Sequence, residues 1–367
     1  MKLSYWGILV WMLFFGGLSV KMEGMKRTVR VADRYALRYH PVWALAAVLP
    51  LIWMTTVRGE VGDTGSYVMM FEDMPNTLHD IGSYMSSVSK DWGFYFCSAL
   101  IHSLITQNVK IYFCILAILQ GGILALVYRK YSTRYVLSMF LFLASTDYIS
   151  WMFNGIRQFT AVAITFACMG LLLRRRYIVV ILLVLLAAAF HGSALLVLPF
   201  LFLAQGKAWN RKTIFFMAVV MLLVVFAGQF TGILDVFLQD TSYKNVVSDW
   251  KMLEDDGTNP LRVAVYAMPA VLSVIGIRQI READDPVINL CTNMSVAATG
   301  FYLISMFTSG IFIGRLPVYF SLYSYILLPW EIEHIFSEKS AKLLYVCLIV
   351  GYLGFYAYSI RMLTAGN

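Results

Sequence analysis

Apolar stretches recur along this chain at the length of a lipid bilayer. A helix rising 1.5 Å per residue needs about 20 mostly apolar residues to cross the hydrocarbon layer. Candidate segments lie near residues 3–20, 42–57, 110–128, 134–151, 155–173, 213–231, 261–277, 289–308, 313–330 and 343–360, and two shorter or ambiguous ones near 92–107 and 177–204. Only 14% of the residues are charged and 60% are hydrophobic, against about 25% charged in a soluble domain. The first run lacks a small-residue cleavage site and reads as a retained helix. No Pro-, Ser- or Gln/Asn-rich linker separates the segments, and no internal repeat is visible. Residues 1–367 therefore read as a single integral membrane domain, an all-α polytopic transmembrane helix bundle.

The loop charges orient that bundle. Lys21, Lys26, Arg27, Arg30, Arg34 and Arg38 lie in one connection with only Glu23 and Asp33, so this loop belongs to the cytoplasm. The next loop holds Glu60, Asp63, Glu72, Asp73, Asp80 and Asp91 and falls outside, while Arg129, Lys130 and Arg134 return to the inside. Only one crossing fits between 91 and 129. The longer segment near 110–128 takes it, and 92–107 becomes a short surface or re-entrant helix. Arg174, Arg175 and Arg176 precede the 177–204 region, and Lys207, Arg211 and Lys212 follow it. The chain must go out and return, with arms of about 14 residues or roughly 21 Å. One long tilted helix is the alternative. A hairpin would turn at His191-Gly192-Ser193, below the outer surface. About 12 spanning segments result, with extracytoplasmic loops at about 58–109 and 232–260 and a short interfacial helix within 233–259.

The net charge of +8 could suggest nucleic acid, but the cations fall in short clusters between apolar runs, which is a topology signal. The five cysteines, Cys97, Cys114, Cys168, Cys291 and Cys347, lie singly among apolar residues and read as small core hydrophobes. No D-x-D or histidine cluster suggests a metal, and no cofactor motif is present.

Ionisable residues at membrane depth are costly and mark functional sites by default. Four features share the outer face in this topology: Arg58 with Asp63 and Tyr67; Asn154-Gly155-Ile156-Arg157-Gln158 at the start of an inward helix; His191; and Arg315 beside Pro317. Asn154 suits an N-cap, and the bare amides of a helix start suit a phosphate. Arg157 adds a fork of donors. Each residue also has a bland reading. Arg58 and Arg315 could be headgroup anchors, Asp63 an Asx turn, and Asn154 only a cap. Arg157 could pair with Asp147, and His191 could be a bonded turn residue. His102 reads as structural.

At these residues the chain resembles the EpsG-like family of Wzy-type exopolysaccharide polymerases. The resemblance is carried by Arg58 with Gly62-Asp63-Thr64 and Tyr67; Phe71; Asp91, Gly93 and Phe94; Asn154 to Gln158; Ala187 to His191 with Ser193; and Arg315 with Tyr319, Phe320 and Pro329. It implies a metal-independent glycosyltransferase that polymerises undecaprenyl-diphosphate-linked oligosaccharide at the outer face of a bacterial cytoplasmic membrane. Exopolysaccharide or capsule would be the product. Arg157, the helix start at Asn154, and Arg315 would hold the diphosphate, with Arg58, Gln158 and Tyr67 on the substrate. His191, with histidine's ordinary pKa of about 6.5, or Asp63 would be the base. Membrane lipid, a chain-length regulator and export proteins are the implied partners. A flippase of lipid-linked sugar and a membrane acyltransferase are the rival readings.

A single cysteine at position 60 in a cysteine-free background is expected to react with an impermeant thiol reagent from outside intact cells. Labelling only after lysis would invert the topology.

Overall fold

The computed structural model of the chain describes residues 2–21, 23–32, 34–227, 229, 233 and 257–365. It divides into two compact units, Met1–Leu198 with Glu338–Asn367, and Pro199–Ser337. The helix expected within 233–259 lies, apart from its edges, outside the described residues.

The first unit begins with helix α1 (Lys2–Lys21). The basic loop that follows is not irregular. It forms an antiparallel hairpin of β1 (Lys26–Val31) and β2 (Arg34–Tyr39), pairing Lys26 with Tyr39 and Val31 with Arg34. This hairpin is a small local exception in a fold that is otherwise helical, as expected. Thr28, Val29, Val31, Tyr35 and Tyr39 are β-branched or aromatic and suit a pleated strand. The expected segment 42–57 is two helices, α2 (Pro41–Ala47) and α3 (Leu49–Thr56), because Pro50 sits in the first turn of α3 and lacks an N–H to continue α2. Helices α4 (Thr64–Glu72), α5 (Ile81–Ser86) and α6 (Trp92–Leu104) follow. The 13 residues of α6 rise roughly 20 Å, short of the hydrocarbon thickness. Its buried face holds Gly93, Phe94, Ser98, Ala99 and His102. His102 is structural, its Nδ1 lying 3.1 Å from the Pro75 carbonyl.

Helix α7 (Val109–Tyr131) is long and apolar enough to span. Helix α8 (Tyr135–Ala144) stops short of its expected end. Thr146 is left-handed at φ 65°, and a π-helical turn over Ile149–Asn154 comes next. A continuous helix resumes as α9 (Ile156–Ala167) and α10 (Met169–Leu173). Gln120 of α7 is buried and donates to the Ile156 carbonyl at 3.1 Å and to Thr160 Oγ1 at 2.9 Å, tying α7 to the first turn of α9. Helix α11 (Tyr177–Phe190) ends at His191, whose backbone is extended, so 177–204 is not one long helix. A 3-10 turn, Gly192–Leu196, leads to α12 (Val197–Leu203). The C-terminal helix Glu338–Ala365 packs back through a hydroxyl chain: Tyr148 and Tyr356 hydroxyls lie 2.8 Å apart, and Tyr356 donates to the Tyr5 carbonyl at 2.7 Å.

The second unit contains helix α13 (Arg211–Val225) and the helices Pro260–Ile275, Pro286–Met306 and Ser324–Ile335. A polar loop fastens onto Pro286–Met306, where the Ala208 amide donates to Asn289 and the Trp209 amide to Asn293. Phe200, Phe216, Phe301 and Phe320 form its aromatic centre.

Among the described residues, four helices are long and apolar enough to cross a membrane, and five if the pair Pro260–Ile275 and Ile277–Ala283, bent by 71°, is one span. Among the described residues, the expected segments 42–57, 134–151 and 177–204 are shorter or broken helices, α8 and α11 among them. Prolines, the left-handed Thr146 and the extended His191 interrupt what hydropathy reads as continuous.

Tyr356 uses its proton on the Tyr5 carbonyl, so Tyr148 is the donor between the two phenols. Tyr148→Phe is expected to cost about 0.6–1 kcal/mol. Tyr356→Phe, which removes both bonds, should lower the unfolding midpoint of the solubilised protein further.

Candidate functional site

The π-helical turn sets the geometry. Its wider ring sends the Gly155 amide to the Ser150 carbonyl at 3.2 Å. The Met152 carbonyl accepts from Arg58 Nη1 at 2.6 Å. The Arg58 guanidinium lies over Phe113, 3.6 Å from its centroid, with Phe153 at 5.4 Å. Arg58 thus points into the protein, not to a headgroup, which corrects the anchoring reading. A desolvated cation over an aromatic face gains about 2 kcal/mol. Burial lowers the Arg58 guanidinium to about 10, still charged at neutral pH. Its Nε and Nη2 are buried without a hydrogen-bond partner.

Asn154 ends the π turn and does not cap α9. The residue at the cap position is Gly155, which makes no side-chain cap bond. Asn154 Oδ1 instead accepts from the Asp63 amide at 3.1 Å. Gly62 permits this approach: it is left-handed at φ 55°, and a Cβ there would overlap the Asn154 carboxamide. The motif Gly62-Asp63 is thereby held against Asn154, from a loop some 90 residues earlier. Asp63 itself is exposed, at the start of α4, and makes no cap bond with its side chain.

Arg157, in the first turn of α9, forms an ion pair with Asp91, Nη1 to Oδ2 at 2.9 Å, with side-chain exposures of 30% and 9%. The expected structural partner, Asp147, does not have that place. Asp91 is left-handed at φ 55° and leaves the start of α6 without a side-chain cap, so its carboxylate is available to Arg157. Asp tolerates that conformation better than most residues. Tyr95 lies 5.9 Å beneath the Arg157 guanidinium. The buried Tyr67 phenol faces the same group; burial pushes it above its ordinary value, and the Arg157 charge works against that shift. Helix α6 reaches this position because Gly93 packs on α11, where a Cβ would stand 2.9 Å from the Ala189 Cβ.

Two residues past Ala189 is His191. Its Nδ1 lies 2.7 Å from Ser193 Oγ and also accepts from the Ser193 amide at 3.4 Å. The backbone N–H has only one role, so Nδ1 is the acceptor and a neutral His191 carries its proton on Nε2. Gln158 is buried, and its amide reaches toward Ser193 Oγ at 3.5 Å. It thus supports the His191 turn. Arg58, Asp63, Tyr67, Asn154, Arg157, Gln158 and His191 all belong to the first unit, at the joined ends of α3, α4, α6, α9 and α11. Arg315 belongs to the second unit, exposed on the 3-10 turn Ile313–Arg315, where Gly314 packs on Thr258.

Over residues 42–365 the chain matches the EpsG family model. The chain belongs to the EpsG family. EpsG is a Wzy-like polymerase family, which places this membrane protein in polysaccharide biosynthesis. No curated protein and no solved structure matches it.

In this EpsG-family chain, reading the sequence from the charges missed the ion partner of Arg157. Asp91 was present in the family-like stretch Asp91-Trp92-Gly93-Phe94, but nothing local links it to a residue 66 positions away. The π turn and the Ser193 role carry no hydropathy signal.

Asp91 and Arg157 should be energetically coupled. In a double-mutant cycle of Asp91→Asn and Arg157→Gln, the coupling in unfolding free energy is expected to be about 1–2 kcal/mol. Additive effects would show that the pair contributes nothing.

Proposed function

We propose that the first unit carries the transfer site of a polymerase that joins undecaprenyl-diphosphate-linked oligosaccharide repeats at the outer face of the bacterial cytoplasmic membrane. The observation that supports it most is the meeting of Asp63, the Arg157–Asp91 pair and the His191–Ser193 turn at one end of the unit. An acceptor sugar hydroxyl attacks the anomeric carbon of the donor glycan. The bond from that carbon to the diphosphate oxygen breaks, and the lipid diphosphate leaves with the electron pair. The hydroxyl proton passes to a base.

The residues suit those roles unequally. Asp63 is exposed and its backbone is fixed by Asn154, so it is the base in this reading. His191 has Nδ1 committed to Ser193 and offers Nε2–H as a donor to developing negative charge. The α9 start, uncapped by any side chain, and the remaining donors of Arg157 hold the diphosphate. Tyr67 orients Arg157. Arg58 supports the π turn from below. Arg315, on the second unit, is proposed as a substrate-binding cation of that unit. About twelve crossings is the proposed topology, with short and broken helices filling the bundle. A chain-length regulator and export proteins are the proposed partners.

The broken helices, at His191 and at the 71° bend, favour a flippase as the second reading, since transporters build sites from interrupted helices. Reconstituted protein that moves labelled lipid-linked sugar without forming glycosidic bonds would decide for it.

The roles of the two candidate bases separate by substitution. Asp63→Asn should reduce polymer formation by about 10²–10⁴-fold, and Arg157→Ala should shorten polymer severely. His191→Gln, which keeps a side-chain N–H, should retain more activity than His191→Ala. Long polymer of normal length from membrane-inserted Asp63→Asn and Arg157→Ala variants would overturn the assignment.

A further inference from the structure

The β1–β2 hairpin is not used by the transfer chemistry, and its two faces differ. Opposed residues of an antiparallel pair project to the same side. One face therefore holds Arg27, Val29, Val31, Arg34, Ala36 and Arg38. This face is covered in part: Val31 is buried, and Arg38 Nε donates to the Lys130 carbonyl at 3.1 Å, while Arg27 and Arg34 are exposed; from the opposite face Tyr39 packs inward, on Phe15 and Tyr135. Arg129 of α7 also donates to the Tyr39 carbonyl, and the His40 amide to Met25 at 2.7 Å. The hairpin is thus fastened to the end of α7.

The other face holds Lys26, Thr28, Arg30, Tyr35, Leu37 and Tyr39. Tyr35 is 74% exposed and Leu37 60%, with Lys26 and Arg30 exposed beside them. Two large apolar side chains side by side on a two-stranded hairpin want a cover. Chain connectivity says where they are. β1 starts five residues after the end of α1, and α2 starts two residues after β2 ends, so the hairpin cannot leave the membrane surface. Residues 26–39 carry Lys26, Arg27, Arg30, Arg34 and Arg38 against one acid, Asp33. Arg129, Lys130 and Arg174 add cations at the same end, where their charges act on one another.

We propose that this outer face is a docking surface for anionic phospholipid of the cytoplasmic leaflet. Tyr35 and Leu37 sit at headgroup depth, as interfacial aromatics do, and Lys26 and Arg30 meet lipid phosphates. Polybasic segments beside a spanning helix are attracted to such a leaflet in this way. The proposal depends on the loop-charge topology and is independent of the transfer mechanism.

The test is hydrogen exchange of residues 26–39 in the full-length protein, reconstituted in nanodiscs of neutral phosphatidylcholine or with about 30% phosphatidylglycerol. Exchange is expected to be on the order of tenfold slower with the anionic lipid, and the difference should vanish at high salt. It should also vanish in a Lys26→Gln, Arg30→Gln variant whose α7 exchange is unchanged. If that variant fails to fold, Tyr35→Ser serves, with a reduced difference expected. Equal rates in the two lipids would overturn the proposal. Protection seen only in native membranes would overturn it in favour of a protein partner.

Discussion

A charge inside an apolar bundle must find a partner, and Arg157 finds Asp91. That pair, at 2.9 Å, joins the start of α9 to the start of α6, and both ends are shaped for it. Asp91 accepts a left-handed backbone that frees its carboxylate, and Gly93 lets α6 close on α11. Once α6 is seated, Tyr67 and Tyr95 are drawn around the guanidinium, and the His191 turn follows directly from the segment that Gly93 packs against. Without the pair, a half-buried cation would remain at the centre of the joined helix ends, where it costs several kcal/mol.

The π turn supplies the second constraint. It separates α8 from α9, and π turns are often found at functional sites. Here it exposes the Met152 carbonyl to Arg58 and swings Asn154 onto Gly62 and the Asp63 amide. A guanidinium over Phe113 is therefore part of the scaffold that holds the backbone of Asp63 in place. Arg58 and Arg157 are alike as sequence features, but one lies over Phe113 and donates to the Met152 carbonyl, and the other pairs with Asp91. Charge alone does not distinguish them; the acceptor each one reaches does.

Much of the architecture was legible in the sequence because the bilayer imposes a length. The spans at 110–128, 155–173 and 289–308 correspond to helices within a few residues. The loop-charge argument brought Arg58, Asn154, Arg157 and His191 to one side, and their helix ends do meet. The break at His191 followed from arms too short to cross. What hydropathy could not show was where apolar segments stop being helical: Pro50, Thr146 and the π turn interrupt runs that are apolar throughout. The strand character of 26–39 was hidden because its basic residues dominate a topology reading, although the β-branched and aromatic residues were there.

By itself the sequence determined a helical membrane protein, an expected side for its charged loops, and the residue types on which our proposal of diphosphate binding and proton transfer rests. These follow from local properties: apolar length, loop charge and the chemistry of single side chains. Only the tertiary structure decided which charge answers which. Asp91 with Arg157, Asn154 with Asp63, and Ser193 with His191 Nδ1 are relations across packed helix ends, and hydrogen-bond direction there assigns roles. That is why Asn154 changes from a cap to a clasp, and why the proton-accepting role, open between His191 and Asp63 in the sequence, goes to Asp63 in our proposal.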